Sequence, residues 1–123
     1  MRTMNILVCE DNRMTLKAIE FSLKKAGWQV YEAEDGMQAV RVLEKQQIDL
    51  VITDINMPYS KGLELIRHIN TKVEPKIPVI VITGITNEET RRHAMELGAR
   101  GYLTKPFDPK VMLKMVKSLL KKH

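Results

Sequence analysis

Two adjacent acids, Glu10 and Asp11, follow the short apolar run 6–9, and a third acid, Asp54, follows the run 50–53. Thr83-Gly84 closes a third run, Lys105-Pro106 a fourth, and Asn56-Met57-Pro58 trails Asp54 closely. Each piece alone is weak: adjacent acids on a loop are usually solvated charge, and a threonine at a strand end is usually structural. Together they define a chemistry. Three carboxylates at neighbouring strand ends repel one another unless a cation sits among them. A hard divalent ion with oxygen ligands, Mg2+ keeping several waters, is the simplest neutraliser. Asp11 and Asp54 suit direct ligation and Glu10 ligation through water, with the backbone carbonyl of Asn56 as a further oxygen. The Lys105 ammonium suits pairing with Asp54 or with a phosphoryl oxygen. Thr83 offers a hydroxyl, and Gly84 leaves room for a phosphate-sized group to approach the backbone.

These residues are scattered along the chain, so the elements between them must bring them together. Five short apolar runs, at 6–9, 28–33, 50–53, 78–83 and 101–104, have the length of buried parallel strands. Helical spacing fills the gaps. Leu16, Ile19 and Leu23 share one face of a first helix, which Gly27 ends in a left-handed turn. A second helix begins near Asp35-Gly36 and carries Ala39, Val40 and Leu43 inward, and a third follows Gly62 with Leu63, Ile66 and Ile69. The fourth takes Thr86 or Asn87 as its cap, with Glu88 and Glu89 in the first turn, where the helix dipole favours anions, and Gly98 at its end. The fifth opens at Asp108-Pro109, with Val111, Met112, Met115, Val116 and Leu119 as its inner stripe. Strand and helix in strict alternation imply right-handed βαβ crossovers and a parallel sheet covered on both faces. The expected fold is therefore α/β, one (βα)5 domain over residues 1–123, with ligands bound outside the carboxyl ends of the strands.

Composition narrows the class further. A chain of 123 residues suits one domain with a real core, and 44% hydrophobic with 28% charged residues is ordinary for a globular protein. No apolar run approaches the ~20 residues that span a bilayer, so no membrane partner is expected. The N-terminus lacks the apolar region of a signal peptide, and the lone Cys9 cannot form an internal disulfide; both suit a reducing cytoplasm. The net charge of +5 is local: residues 105–123 hold six lysines against Asp108, while the remainder balances at 14 basic and 14 acidic residues. Without a helix-turn-helix or an aromatic-basic platform, direct nucleic-acid binding is not expected.

With these residues in view the chain resembles the receiver (phosphoacceptor) domain of two-component response regulators, of the chemotaxis-regulator type. Val-Cys-Glu-Asp-Asn at 8–12, Thr-Asp-Ile-Asn-Met-Pro at 53–58, Val-Ile-Thr-Gly at 81–84 and Gly-Ala-Arg-Gly-Tyr-Leu-Thr-Lys-Pro-Phe at 98–107 carry the likeness. It runs from Ile6 to the last helix. The resemblance implies a flavodoxin-like sheet of order 2-1-3-4-5. It implies that Asp54 is the phosphorylated nucleophile, that Glu10 and Asp11 hold Mg2+, and that Thr83 and Lys105 contact the phosphoryl group. A cis bond between Lys105 and Pro106, and a switch role for Tyr102 together with Thr83, are implied in the same way. Ser60 and Lys61 depart from the commonest loop after Met-Pro, which removes no catalytic group, and Asn56 and Ile85 occupy positions that tune phosphoryl lifetime in the family.

The partners implied are a sensor histidine kinase or a histidine phosphotransfer protein as donor. On the other side stands an output protein or domain on the face of the fourth helix, fifth strand and fifth helix, with a phosphorylation-dependent dimer as a further expectation. The domain would catalyse its own phosphorylation and dephosphorylation without being an enzyme toward another substrate. Rival readings fare worse. An FMN-binding flavodoxin-like protein needs a hydroxyl-rich phosphate loop where this chain has Glu10-Asp11, and an aspartyl phosphatase needs a second acid where Asn56 stands.

Overall fold

Apolar runs too short for helices and flanked by turn residues hydrogen-bond sideways, and the intervening amphipathic segments must then cover the sheet. The computed structural model, which describes residues 3–56 and 62–121, has this architecture. In chain order the elements are β1 (Asn5–Cys9), α1 (Arg13–Lys25), β2 (Gln29–Ala33), α2 (Gly36–Lys45) and β3 (Leu50–Thr53). They continue with α3 (Gly62–Lys72), β4 (Val79–Thr83), α4 (Glu88–Glu96), β5 (Gly101–Thr104) and α5 (Pro109–Lys121). Met57, Pro58, Ser60, Lys61, Lys122 and His123 lie outside the described residues.

All four strand pairings are parallel, and the order is β2-β1-β3-β4-β5, as the resemblance implied. Alternation along the strands sorts the core into two halves. Ile6, Val8, Leu50, Ile52, Ile80 and Ile82 face one way and pack with Leu16, Ile19 and Leu23 of α1 and Met112, Val116, Leu119 and Leu120 of α5. Leu7, Cys9, Val51, Val79 and Val81 face the other way, against Ala39 of α2, Leu65, Ile66 and Ile69 of α3 and Ala94 of α4. Burying one such Leu or Ile side chain stabilises the fold by about 1.5–3 kcal/mol, so strand order and register follow from these two apolar sets.

The helix boundaries follow capping chemistry. Asn12 Oδ1 accepts the Thr15 amide at 3.0 Å, Asp35 Oδ1 the Gln38 amide at 2.9 Å and Asn87 Oδ1 the Thr90 amide at 3.1 Å. Asn87, not Thr86, is therefore the cap of α4. One expectation fails in α5: Val111 is 46% exposed, and Leu120 takes a core place instead. Met112, one residue on, is fully buried; Val111 lies about 100° around the helix from it, off the stripe that the 3.6-residue period carries through 112, 116, 119 and 120.

Gly27 and Gly98 end α1 and α4 with φ of +100° and +120°. An added Cβ at Gly27 meets nothing, whereas at Gly98 it falls 2.8 Å from Asn70 Cγ. Gly27→Ala should cost about 1 kcal/mol from backbone strain alone, and Gly98→Ala clearly more because Asn70 must also move. Urea denaturation of both variants checks this, and equal losses would contradict it.

Candidate functional site

Register places the polar signatures before any side chain is considered. Cys9 pairs with Thr53, and Thr83 with Thr104, so the residues after these strands emerge side by side at one edge of the sheet. The Asp54 amide donates to the Cys9 carbonyl at 3.0 Å, and the Lys105 amide donates to the Thr83 carbonyl at 2.8 Å, which extends the ladder one residue into the site. The Lys105–Pro106 peptide is cis.

Glu10, Asp11 and Asp54 each present a carboxylate oxygen within 4.8 Å of the others. Glu10 and Asp54 are only 2% and 5% exposed, whereas Asp11 is open to solvent. The Lys105 ammonium stands between the two buried acids, 2.7 Å from Glu10 Oε1 and 2.7 Å from Asp54 Oδ2. The remaining oxygens of this pair are also engaged. Glu10 Oε2 accepts the Asn12 amide at 3.0 Å, and Asp54 Oδ1 accepts the Asn56 amide at 2.9 Å. Burial pushes the Glu10 carboxyl above its ordinary range, against the pull of its bonds to Lys105 and Asn12. Burial also works against the Lys105 ammonium, but its bonds to Asp54 and Glu10 prevail and raise its pKa. The lysine is thus held charged. Three carboxylates against one ammonium leave two negative charges uncompensated, which fits the donor set to one divalent oxygen-seeking cation.

Thr83 is fully buried at the end of β4, and its hydroxyl accepts the Ile85 amide at 3.4 Å. The Ile85 carbonyl in turn accepts the Tyr102 hydroxyl at 2.9 Å. Ile85 therefore links the two residues expected to act as a switch. The sequence reading paired Lys105 with Asp54 but missed its second partner, Glu10, 95 positions away. It also missed the exposed apolar stripe of α1, where Met14 (86% exposed) and Phe21 face solvent with Ala18 between them. The spacing 14, 18, 21 is the signal that could have found it.

A parallel five-stranded sheet with this acidic and lysine cluster at its carboxyl edge defines the class of phosphoacceptor signalling domains. The response regulator receiver domain model matches residues 6–117, and the chain belongs to that family. It is similar to the chemotaxis response regulator CheY4 of Vibrio cholerae, at 28% identity and a TM-score of 0.88 over 96% of this chain and 99% of that one. A CheY-like receiver domain protein from Methanospirillum hungatei matches at 26% identity and a TM-score of 0.92, over 98% and 96% of the two chains. A response regulator from Thermotoga maritima matches at 28% and 0.88, over 98% and 99%. The chain is thus a receiver domain of two-component signalling, with a phosphoacceptor role. Receiver domains of this kind take their input from histidine kinases and act on output domains. No helix among the described residues is long and apolar enough to cross a membrane.

Cys9 lies beside the site yet is chemically shielded. Its thiol donates to the Asp35 carbonyl at 3.4 Å, and burial pushes its pKa to about 12. At pH 8 the native protein should therefore resist a thiol-specific disulfide reagent that modifies the urea-unfolded chain readily. Comparable labelling rates in the two states would contradict this.

Proposed function

We propose that Asp54 is the residue phosphorylated, within one receiver domain spanning residues 1–123 and working in the cytoplasm. The observation that supports it most directly is the placement of the Lys105 ammonium 2.7 Å from a nearly buried Asp54, with Glu10 and Asp11 completing an acidic cluster. A carboxylate is a weak nucleophile and its phosphoryl donor is anionic, so charge compensation decides whether they meet. Mg2+ held by Asp11 and Asp54, with Glu10 through water and the Asn56 carbonyl as a further ligand, would supply that compensation. Lys105 supplies the rest and follows the charge onto the phosphoryl oxygens.

The donor is a phosphohistidine on a sensor kinase or a histidine phosphotransfer protein. An Asp54 oxygen forms the new P–O bond as the P–N bond breaks, and the electron pair returns to the imidazole nitrogen, which takes up a proton. The domain itself catalyses this transfer and the later hydrolysis of the acyl phosphate. Thr83 donates its hydroxyl to the phosphoryl group, which pulls on Ile85 and through it on Tyr102. The state of the site thereby reaches the face formed by α4, β5 and α5, where an output partner or a second receiver docks. Arg91 and Arg92 on that face are paired with Glu88 and Glu96, and among the described residues α5 adds the exposed lysines Lys110, Lys114, Lys117 and Lys121.

Acetyl phosphate with Mg2+ should add one phosphoryl group to the wild type, as read by intact mass. EDTA should abolish the gain, and Asp54→Asn should show none. Robust labelling of Asp54→Asn would overturn the assignment. For the output face, charge reversal by Lys114→Glu with Lys117→Glu should leave this labelling unchanged while weakening self-association of the beryllofluoride-loaded domain or its capture of an acidic partner. Retention of all such binding would remove the face from the proposal.

A further inference from the structure

We infer that the outer faces of α1 and α5 together form a surface that rests on an anionic phospholipid bilayer. The contact needs no spanning segment and is independent of which residue is phosphorylated. α1 and α5 are the two helices that cover one face of the sheet, through Leu16, Ile19 and Leu23 of the first and Met112, Val116 and Leu119 of the second. Residues on the far sides of these two helices therefore look out from the molecule in the same direction.

Charge is the first asymmetry. α1 and α5 hold eight lysines and arginines against the single acid Glu20, whereas α2, α3 and α4 hold six against five. α5 has no acid at all. Its lysines Lys110, Lys114, Lys117 and Lys121, spaced by four, three and four residues, fall within roughly 60° of arc at 100° per residue. All four are exposed, and none has an ion-pair partner among the described residues. Arg13, Lys17 and Lys24 of α1 are held by Glu34, Glu32 and Glu20 in ion pairs, so the uncompensated charge is mostly on α5. Like charges at these spacings repel along a helix, and a surface of opposite sign relieves the row.

Apolar exposure is the second asymmetry, and it is independent of the first. Four large hydrophobic side chains stand exposed among the described residues; Met14, Phe21 and Val111 belong to α1 and α5, and only Met37 lies elsewhere. Met14 and Phe21 sit about two turns apart on the side of α1 that faces away from Leu16, Ile19 and Leu23. The Lys25 ammonium stands 6.0 Å from the centre of the Phe21 ring, which puts a cation and an apolar ring at the same level of the surface. A single exposed hydrophobic residue is ordinary, but three gathered with an uncompensated lysine row have a joint chemistry. A nucleic acid would satisfy the lysines and leave Met14, Phe21 and Val111 in water. An anionic bilayer takes both sets, with headgroup phosphates for the ammonium groups and the acyl boundary for the three apolar side chains.

Sedimentation of the full chain with vesicles of phosphatidylcholine alone, and of phosphatidylcholine with about 30% phosphatidylglycerol, tests this. The wild type should bind the anionic vesicles about tenfold more tightly than the neutral ones, and raising salt from about 50 to about 300 mM should cancel most of the difference. Lys114→Gln/Lys117→Gln should weaken binding about tenfold and flatten the salt dependence, while Met14→Ser/Phe21→Ser should weaken it comparably without flattening it. Arg67→Gln/Lys72→Gln, which removes the same charge from exposed positions on α3, should change it less than about twofold. On anionic vesicles the emission of Phe21→Trp, after subtraction of the chain's one native tryptophan, Trp28, should shift to the blue as the ring leaves water. Equal binding to neutral and anionic vesicles, an equal loss in the α3 variant, or unmoved emission of the Phe21→Trp variant would each overturn the inference. So would tighter binding to duplex DNA than to anionic vesicles, which would give the lysine row to a nucleic acid.

Discussion

One ammonium shared by two buried carboxylates organises the carboxyl edge of this sheet. Glu10 and Asp54 end adjacent parallel strands, and hydrogen-bonded register leaves them no freedom to separate. Unpaired charges at such depth cost several kcal/mol each, so the fold needs a cation there before any chemistry begins. Lys105, arriving from the far side of β4, is that cation. The compensation is incomplete by design of the residue set, because Asp11 adds a third acid that faces solvent. A donor set left two charges negative fits a divalent cation.

The same edge also ties the site to the outermost strand. Thr83 is buried at the end of β4, and its hydroxyl is engaged by the Ile85 amide, whose residue holds the Tyr102 hydroxyl through its carbonyl. Thr83 is thereby linked through the loop after β4 to an aromatic side chain on β5, the edge strand of the sheet. An edge strand has a neighbouring strand on one side only. The rigid part of the molecule lies elsewhere, in the two apolar layers formed by α1 and α5 on one face and α2, α3 and α4 on the other. Function is carried by the loops that those layers hold in register.

The exposed apolar stripe of α1 belongs to this picture as well. Met14, Ala18 and Phe21 face outward on the helix whose inner face supplies Leu16, Ile19 and Leu23 to the core. Met14 also lines a surface depression with Lys105, Pro106 and Phe107, so the stripe begins beside the site itself. Arg13, Lys17, Lys24 and Lys25 surround it, partly offset by Glu20, Glu32 and Glu34 in ion pairs.

Much of this protein was legible without coordinates. Short apolar runs alternating with 3.6-residue spacing marked the five strands to within a residue and the five helices between them, because burial of apolar side chains acts on spacing visible along the chain. The helix starts near Asp35-Gly36, at Thr86 or Asn87 and at Asp108-Pro109 were equally local, and the four motifs pointed to the family. What the linear chain withheld was everything that depends on distance between segments. Nothing near Glu10 in the sequence announces that its closest partner is Lys105, since the contact exists only after β1, β3, β4 and β5 have paired in register. The exposure of Val111 was hidden for the same reason: a helical stripe says which residues share a face, but only docking on the sheet decides which flank of that face is covered. Sequence determined the elements and the inventory of charged groups, which are local properties. Tertiary structure decided which charges meet, because Coulomb energies in a buried pocket depend on ångström separations that no spacing along the chain encodes.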